Sequence, residues 1–169
     1  MSKTRGFTLP ELLIGLCLMA LLANLALPAM RDMATRQSLI AQSNALTGLL
    51  YRARITGAKN GGALVCALGS ECDVFDVSAG VFVARAAGTT SHPGPMGEAI
   101  ELLVLPEGMT VQWRSFRNQP WLHYGAHATS HFQNGHFLLC YRGQASRVVI
   151  TRIGRPRVDR HPQAPDVCL

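Results

Sequence analysis

The sequence predicts an α+β protein in which a long N-terminal α-helix, transmembrane in its first half, packs on an antiparallel β-sheet domain. Two observations support this fold class. The 24 residues Phe7–Met30 contain one charged side chain, Glu11, and about 20 apolar residues are enough for a helix to cross a bilayer. From Ala63 onward the hydrophobic pattern changes to the period of two that is typical of β-strands.

The helix is predicted to continue beyond the apolar run as an amphipathic helix. Its apolar face consists of side chains at helical spacing: Leu39, Leu46, Leu49, Leu50 and Ala53. We predict that this helix ends near Gly57, because the sequence Lys-Asn-Gly-Gly at 59–62 is a strong helix breaker. Six strands should follow, at Ala63–Ala67, Gly80–Arg85, Ile100–Leu105, Thr110–Phe116, His136–Tyr141 and Ser146–Ile153.

Glu11 is an unusual residue for an apolar run. An acidic side chain at the centre of a membrane costs roughly 2.5–3.5 kcal/mol, and such groups generally have a functional partner. If the chain is cut after Gly6, the new α-amino group of Phe7 lies one helical turn from Glu11. An amine is therefore the predicted partner of this carboxylate.

The segment Arg5-Gly6-Phe7-Thr8-Leu9-x-Glu11 resembles the class III signal of type IV pilins and type II secretion pseudopilins. The resemblance implies that a prepilin peptidase cuts after Gly6 and methylates Phe7. It also implies that Glu11 pairs with the N-terminus of a neighbouring subunit during filament assembly. Pro10 stands where an aliphatic residue is commoner in that family, and proline is tolerated in the first turn of a helix.

This resemblance divides the chain into a leader peptide (1–6), a transmembrane and assembly helix (7–30), an amphipathic second half of the helix (31–58) and a periplasmic or extracellular β-rich domain (59–169). It implies a single-pass protein of the inner membrane that later enters a pilus filament at the cell surface. Two alternatives fit less well. An ordinary signal peptide needs a cleavage site after the apolar run, where no good A-x-A motif stands. A plain signal anchor explains the hydrophobicity but not the carboxylate.

Four of the five cysteines lie beyond the apolar run, an even number that is typical of a domain exported to an oxidising compartment. Three pairings of these four are possible. Proximity favours Cys66–Cys72, and elimination then leaves Cys140–Cys168. A zinc site is the alternative, but the sequence lacks the C-x₂-C spacing of such sites.

The C-terminal segment holds the clearest candidate site outside the N-terminus. Residues 141–169 contain six Lys/Arg and two Asp/Glu, a local charge of +4, which predicts an anionic partner. In an extended chain Arg155 and Arg157 project to the same side, and Pro156 between them suits an edge strand or a turn. Guanidinium groups bind phosphate oxygens bidentately.

A strand followed by Gly154-Arg155-x-Arg157 and a later cysteine resembles the C-terminal end of the GspH/FimT group of minor pilins. The resemblance implies a pilin-like fold and DNA binding in natural transformation, the property of the FimT branch, through Gly154, Arg155 and Arg157. Charge and position add Arg152 and Arg160 to this site. Because residues that read base edges are absent, we expect binding to the DNA backbone without sequence preference.

Other functions remain open from the sequence alone. The arginines could form a solvated face, or pair with Asp159, Asp166 or another subunit. The chain would then be the minor pseudopilin H of a type II secretion system, with a structural role. A surface adhesin would need a loop specificity that the sequence does not show. No P-loop, nucleophile elbow or dinucleotide-binding turn supports an enzyme, and no cofactor or metal is expected.

Three histidines, His123, His127 and His131, have the spacing of one helix face, but nearby glycines and aromatic residues favour strand and loop. The same region contains Trp121 and Tyr124. These two rings could form a base-stacking surface beside the basic tail, although a place in the core suits them better.

Overall fold

The computed structural model describes residues 9–75, 77–86, 99–130, 133–159 and Cys168. Its elements, in chain order, are α1 (Leu9–Asn60), β1 (Gly62–Ala67), β2 (Gly80–Arg85), β3 (Ala99–Val104), β4 (Met109–Ser115), β5 (Leu122–Gly125), β6 (Gly135–Tyr141), β7 (Gln144–Ile150) and β8 (Pro156–Asp159). The chain divides into two compact units between Arg36 and Gln37.

The first unit is the N-terminal part of α1. Its large apolar side chains are mostly more than half exposed, as for Leu9 (73%) and Leu22 (67%). An 18-residue window of this helix has a mean hydropathy of 2.3, so the helix is long and apolar enough to span a membrane. The polar side chain of Asn24 donates a hydrogen bond to the backbone carbonyl of Ala20 at 2.8 Å and is thereby satisfied within its own helix.

The second unit contains two four-stranded antiparallel sheets, in the orders β3-β2-β1-β5 and β4-β6-β7-β8. The predicted α+β class, a long helix with antiparallel strands, is confirmed, but the sequence predicted one sheet where the structure has two. An isolated bridge between Ser78 and Val111 connects them. The six predicted strands lie within three residues of β1–β4, β6 and β7. Two short strands, β5 and β8, were not among the six.

The helix packs on these sheets within the second unit through the face that the sequence predicted. All five of its apolar residues are buried, including Leu46 and Leu50, and each leucine so buried contributes about 1.5–3 kcal/mol. One polar contact lies inside this interface: Ser43 Oγ donates a hydrogen bond to Ser146 Oγ of β7 at 2.7 Å. The sheet that contains β7 therefore has a core face towards the helix and an opposite, outer face.

The helix ends at Asn60, three residues later than the sequence predicted. Gly57 does not terminate it but allows the helix to approach β5 closely. A Cβ atom at Gly57 would lie 2.5 Å from the backbone oxygen of Tyr124, so only glycine fits there without displacing one of the two backbones. This contact fixes the position of Tyr124, which is important for the candidate site.

Two disulfides join the pairs that the sequence analysis favours. Cys66–Cys72 closes a loop of sequence separation 6 after β1, and Cys140–Cys168 closes a loop of separation 28 that ties the end of the chain to β6. In the chain-entropy model these loops contribute about 2.2 and about 3.6 kcal/mol respectively. The second bridge therefore stabilises the sheet that contains the C-terminal arginines.

Candidate nucleic-acid interface

The C-terminal arginines lie on the hairpin formed by β7 and β8, at the edge of the second sheet. Three residues, 152–154, form its loop. The Gly154 N–H donates to the Thr151 carbonyl at 2.8 Å, and the Thr151 N–H donates to the Arg155 carbonyl at 3.1 Å. This pattern is typical of a three-residue hairpin whose last loop residue is left-handed. Gly154 occupies that position with φ +78°.

Gly154 is also enclosed by neighbouring residues. A Cβ atom at this position would lie 2.9 Å from both the backbone nitrogen of Ser130 and Cε1 of Tyr124. The Tyr124 hydroxyl donates a hydrogen bond to the Gly154 carbonyl at 3.1 Å. Burial raises the pKa of Tyr124, which keeps this hydroxyl protonated and able to donate. In the Gly-Arg-x-Arg motif the glycine therefore holds the loop in place.

The arginines of the motif face away from the core. Arg155 and Arg157 are exposed, whereas Pro156 between them is buried opposite Ile150 of β7. The alternation agrees with the period of two in extended chain. Arg152 is exposed in the loop. We call these three exposed residues, Arg152, Arg155 and Arg157, the arginine hairpin.

No ion pair joins Arg155 or Arg157 to a carboxylate within the part of the chain that the structure describes. Asp159, the acidic residue of β8, stands opposite Arg147 in the strand register. Two exposed guanidinium groups on a rigid hairpin can therefore bind oxygen atoms of an external anion such as phosphate. Arg160 lies outside the described residues.

Other residues named in the sequence analysis lie elsewhere. Arg142, another basic residue of the C-terminal segment, is in the β6–β7 turn at the far end of β7, over the ring of Tyr141 at 5.1 Å. Glu11 is in the first turn of α1. The processing residues Gly6 and Phe7 fall outside the described ranges.

The aromatic and histidine alternatives do not form sites within the described residues, which exclude His131. Tyr124 is fully buried and Trp121 packs against a second apolar cluster around Leu64, so the stacking surface considered for these two rings is wrong. His123 is buried in β5, whereas His127 is exposed in the following turn. They do not share a helix face.

The sequence did not reveal the contacts that hold the arginine hairpin in place. Tyr124 was recognised only as a core candidate, and its hydrogen bond to Gly154 joins residues 30 positions apart. Arg54 of α1 donates to the backbone carbonyl of Ala128, in the loop that carries Ser130. No periodicity in the sequence indicates either pairing, since both depend on how β5 meets the edge of the second sheet.

We predict that Tyr124→Phe lowers the free energy of unfolding by about 1–2 kcal/mol, because the buried carbonyl of Gly154 loses its donor while ring packing is kept. Chemical denaturation of the full chain in detergent measures this loss. Tyr51→Phe is the matched control, since Tyr51 is 39% exposed and its change should be close to zero. Equal stability of both variants would contradict a supporting role for the Tyr124 hydroxyl.

A long apolar N-terminal helix, continued into a domain of antiparallel sheets, defines the pilin-like class of folds. Two crystal structures of the type IV minor pilin FimU of Pseudomonas aeruginosa have this fold. One is 15% identical to this chain and covers 72% of it and 92% of FimU, with a TM-score of 0.53. The other is also 15% identical and covers 73% and 90%, with a TM-score of 0.54. No family model and no curated protein matches the sequence. The comparison confirms the predicted resemblance to pilins at the level of the fold.

Proposed function

We propose that this chain is a minor pilin that enters a type IV pilus and binds DNA through the arginine hairpin, for DNA uptake in natural transformation. A prepilin peptidase removes residues 1–6, Phe7 becomes the methylated N-terminus, and the helix holds the protein in the inner membrane until assembly. Other pilin subunits are its partners in the filament. DNA is its external ligand.

One observation carries the DNA-binding part of this proposal. Arg155 and Arg157 are exposed side by side on the outer face of a hairpin whose glycine is required by both its φ angle and its neighbours. The rigid backbone limits the entropy lost when the two side chains engage phosphates. Arg152 is exposed in the adjoining loop, and Arg160 follows shortly in the sequence. The ligand is therefore the polyanionic backbone of DNA, without base specificity.

A gel shift with full-length protein in detergent and a random-sequence duplex tests this function. Wild type should bind with a log–log salt slope of about −3 to −4.5, the value expected for three to five phosphate contacts. Arg155→Gln/Arg157→Gln should weaken binding at least about tenfold and reduce the slope by about two, since two contacts are lost.

Arg142→Gln and Arg157→Gln form a matched pair for this experiment. Each removes one exposed arginine from the same sheet, but Arg142 lies at the opposite end of β7. A loss confined to Arg157→Gln supports the hairpin as the binding site. Equal losses would indicate attraction to net charge alone. If the wild-type protein gives no salt-sensitive shift, DNA binding is wrong and a structural role in a secretion pseudopilus becomes the better proposal.

A further inference from the structure

The register of the second sheet aligns basic residues in a row across its outer face. Arg114 of β4 pairs with His136 of β6, His136 with Val149 of β7, and Val149 with Arg157 of β8. Neighbouring strands lie about 4.8 Å apart, so three such steps place Arg114 and Arg157 about 14 Å apart. The row begins at the arginine hairpin and ends at the opposite edge of the sheet.

The intervening residues confirm which face carries this row. Trp113, Phe137 and Val148 are buried on the core side of the same strands. Arg114 and Arg157 are exposed, and His136 and Arg147 are partly exposed. We call Arg114, His136, Arg147 and Arg157 the basic row.

Like charges lie close together in the basic row. Burial lowers the pKa of His136, and the nearby guanidinium groups of Arg147 and Arg114 lower this pKa further. His136 stands opposite Arg114 on β4, and Arg147 on β7 is its diagonal neighbour, opposite Leu138. Arg157 and Asp159 lie one strand further, on β8. Asp159 is the one acidic residue on the outer face of the described strands β4 and β6–β8. Within these described strands the basic side chains outnumber the acidic one, and such a concentration of positive charge favours an external anion.

An exposed aromatic ring stands at the far end of the row. Phe116 directly follows β4, and its N–H donates to the Asn134 carbonyl at 2.9 Å, which continues the β4–β6 ladder by one residue. The side chain is 83% exposed and lies between Arg114 and Arg117 in the sequence, both also exposed. A phenylalanine left in water loses most of the roughly 1.5–3 kcal/mol that burial would provide. Exposed aromatic rings beside arginines form the stacking platforms of proteins that bind single strands.

We propose that the bound nucleic acid continues from the arginine hairpin along the basic row to Arg114, and that Phe116 stacks on a base there, so that the site favours single-stranded DNA. This inference rests on the proposed function. The row spans about 14 Å, a length that brings several consecutive phosphates of one strand within reach of its basic side chains. In a duplex the base faces are covered by their neighbours, and a ring at the rim of a sheet cannot reach them. The stacking contact is therefore available to a single strand alone.

Fluorescence anisotropy of the full chain in detergent, with a labelled oligonucleotide of about 20 residues as single strand and as duplex, tests the proposal. Phe116→Ala should weaken single-strand binding about 5- to 100-fold, the effect of losing one stacked base, and leave duplex binding within about twofold. Phe116→Trp should restore the single-strand affinity. Arg114→Gln should weaken single-strand binding and lower its salt slope by about 0.7, the value of one phosphate contact.

Two results would overturn the proposal while leaving the proposed function intact. The first is unchanged single-strand affinity in Phe116→Ala and Arg114→Gln, while Arg155→Gln/Arg157→Gln still abolishes binding. The second is an equal loss of single-strand and duplex affinity in Phe116→Ala, which would indicate a structural role for the ring. Failure of the wild type to bind either DNA would instead disprove the proposed function itself. Thermal melts of each variant verify that the fold is kept.

Discussion

Gly154→Ala is expected to destabilise the protein by about 2–5 kcal/mol and to abolish most DNA binding, although it removes no charge. Two costs add up. A left-handed backbone at a residue with a Cβ costs roughly 1–2 kcal/mol, and Gly154 has φ +78°. The new methyl group would also lie 2.9 Å from the Ser130 nitrogen and the Tyr124 ring, an overpacking that typically costs about 1–3 kcal/mol. The loop must shift to relieve this contact, and the flanking arginines shift with it.

Gly143→Ala separates the two costs. Gly143 lies in the other hairpin loop of the same sheet with φ +74°, but a Cβ atom added there would meet no atom of the described, non-adjacent residues within 4 Å. Its alanine variant should therefore lose about 1–2 kcal/mol and keep its DNA affinity. Denaturation curves and gel shifts of both variants make the comparison. If the two lose the same stability, the enclosure of Gly154 by Tyr124 and Ser130 has no energetic effect, and the hairpin is not held as described.

The sequence predicted those parts of the fold that follow from a period. The five buried positions from Leu39 to Ala53 have helical spacing, and the strand Met109–Ser115 alternates between buried and more exposed residues, so both were located correctly to within a residue or two. The two four-residue strands β5 and β8 are too short to show a period. The division into two sheets depends on long-range pairing between β1 and β5, which leaves no local pattern in the sequence.

The candidate site was predictable to a similar extent. Alternation correctly placed Arg155 and Arg157 on one side of an extended segment. The support of this segment was not predictable, because it consists of contacts between distant residues. Gly57 allows α1 to approach β5, this approach positions Tyr124, and Tyr124 holds the carbonyl of Gly154. The basic row likewise appears only when the registers of four strands are known.

At the other end of the chain, the carboxylate of Glu11 has a free-energy cost in a membrane that must be offset. It lies in the first turn of α1, where the helix dipole favours a carboxylate by about 0.3–1 kcal/mol. This is less than the roughly 2.5–3.5 kcal/mol that an acidic side chain costs at the centre of a membrane. In our proposal, the α-amino group of a neighbouring subunit's Phe7, freed by cleavage after Gly6, adds an attraction for this carboxylate in the filament.

We therefore predict that Glu11→Ala and Glu11→Gln remain in the inner membrane but enter filaments at least about tenfold less than wild type, the effect of losing about 1.4 kcal/mol or more per subunit contact. Immunoblots of sheared filaments and of membranes measure the two pools. Glu11→Asp, which keeps the charge, should assemble better than either variant, and Glu71→Ala, which removes an exposed acidic residue after β1, should assemble normally. Mass spectrometry must show in every case a mature chain that begins with methylated Phe7, because a defect in cleavage would also prevent assembly. Normal incorporation of correctly processed Glu11→Ala would disprove the pairing, since a helix that polymerises without this carboxylate does not need the opposite charge of its neighbour.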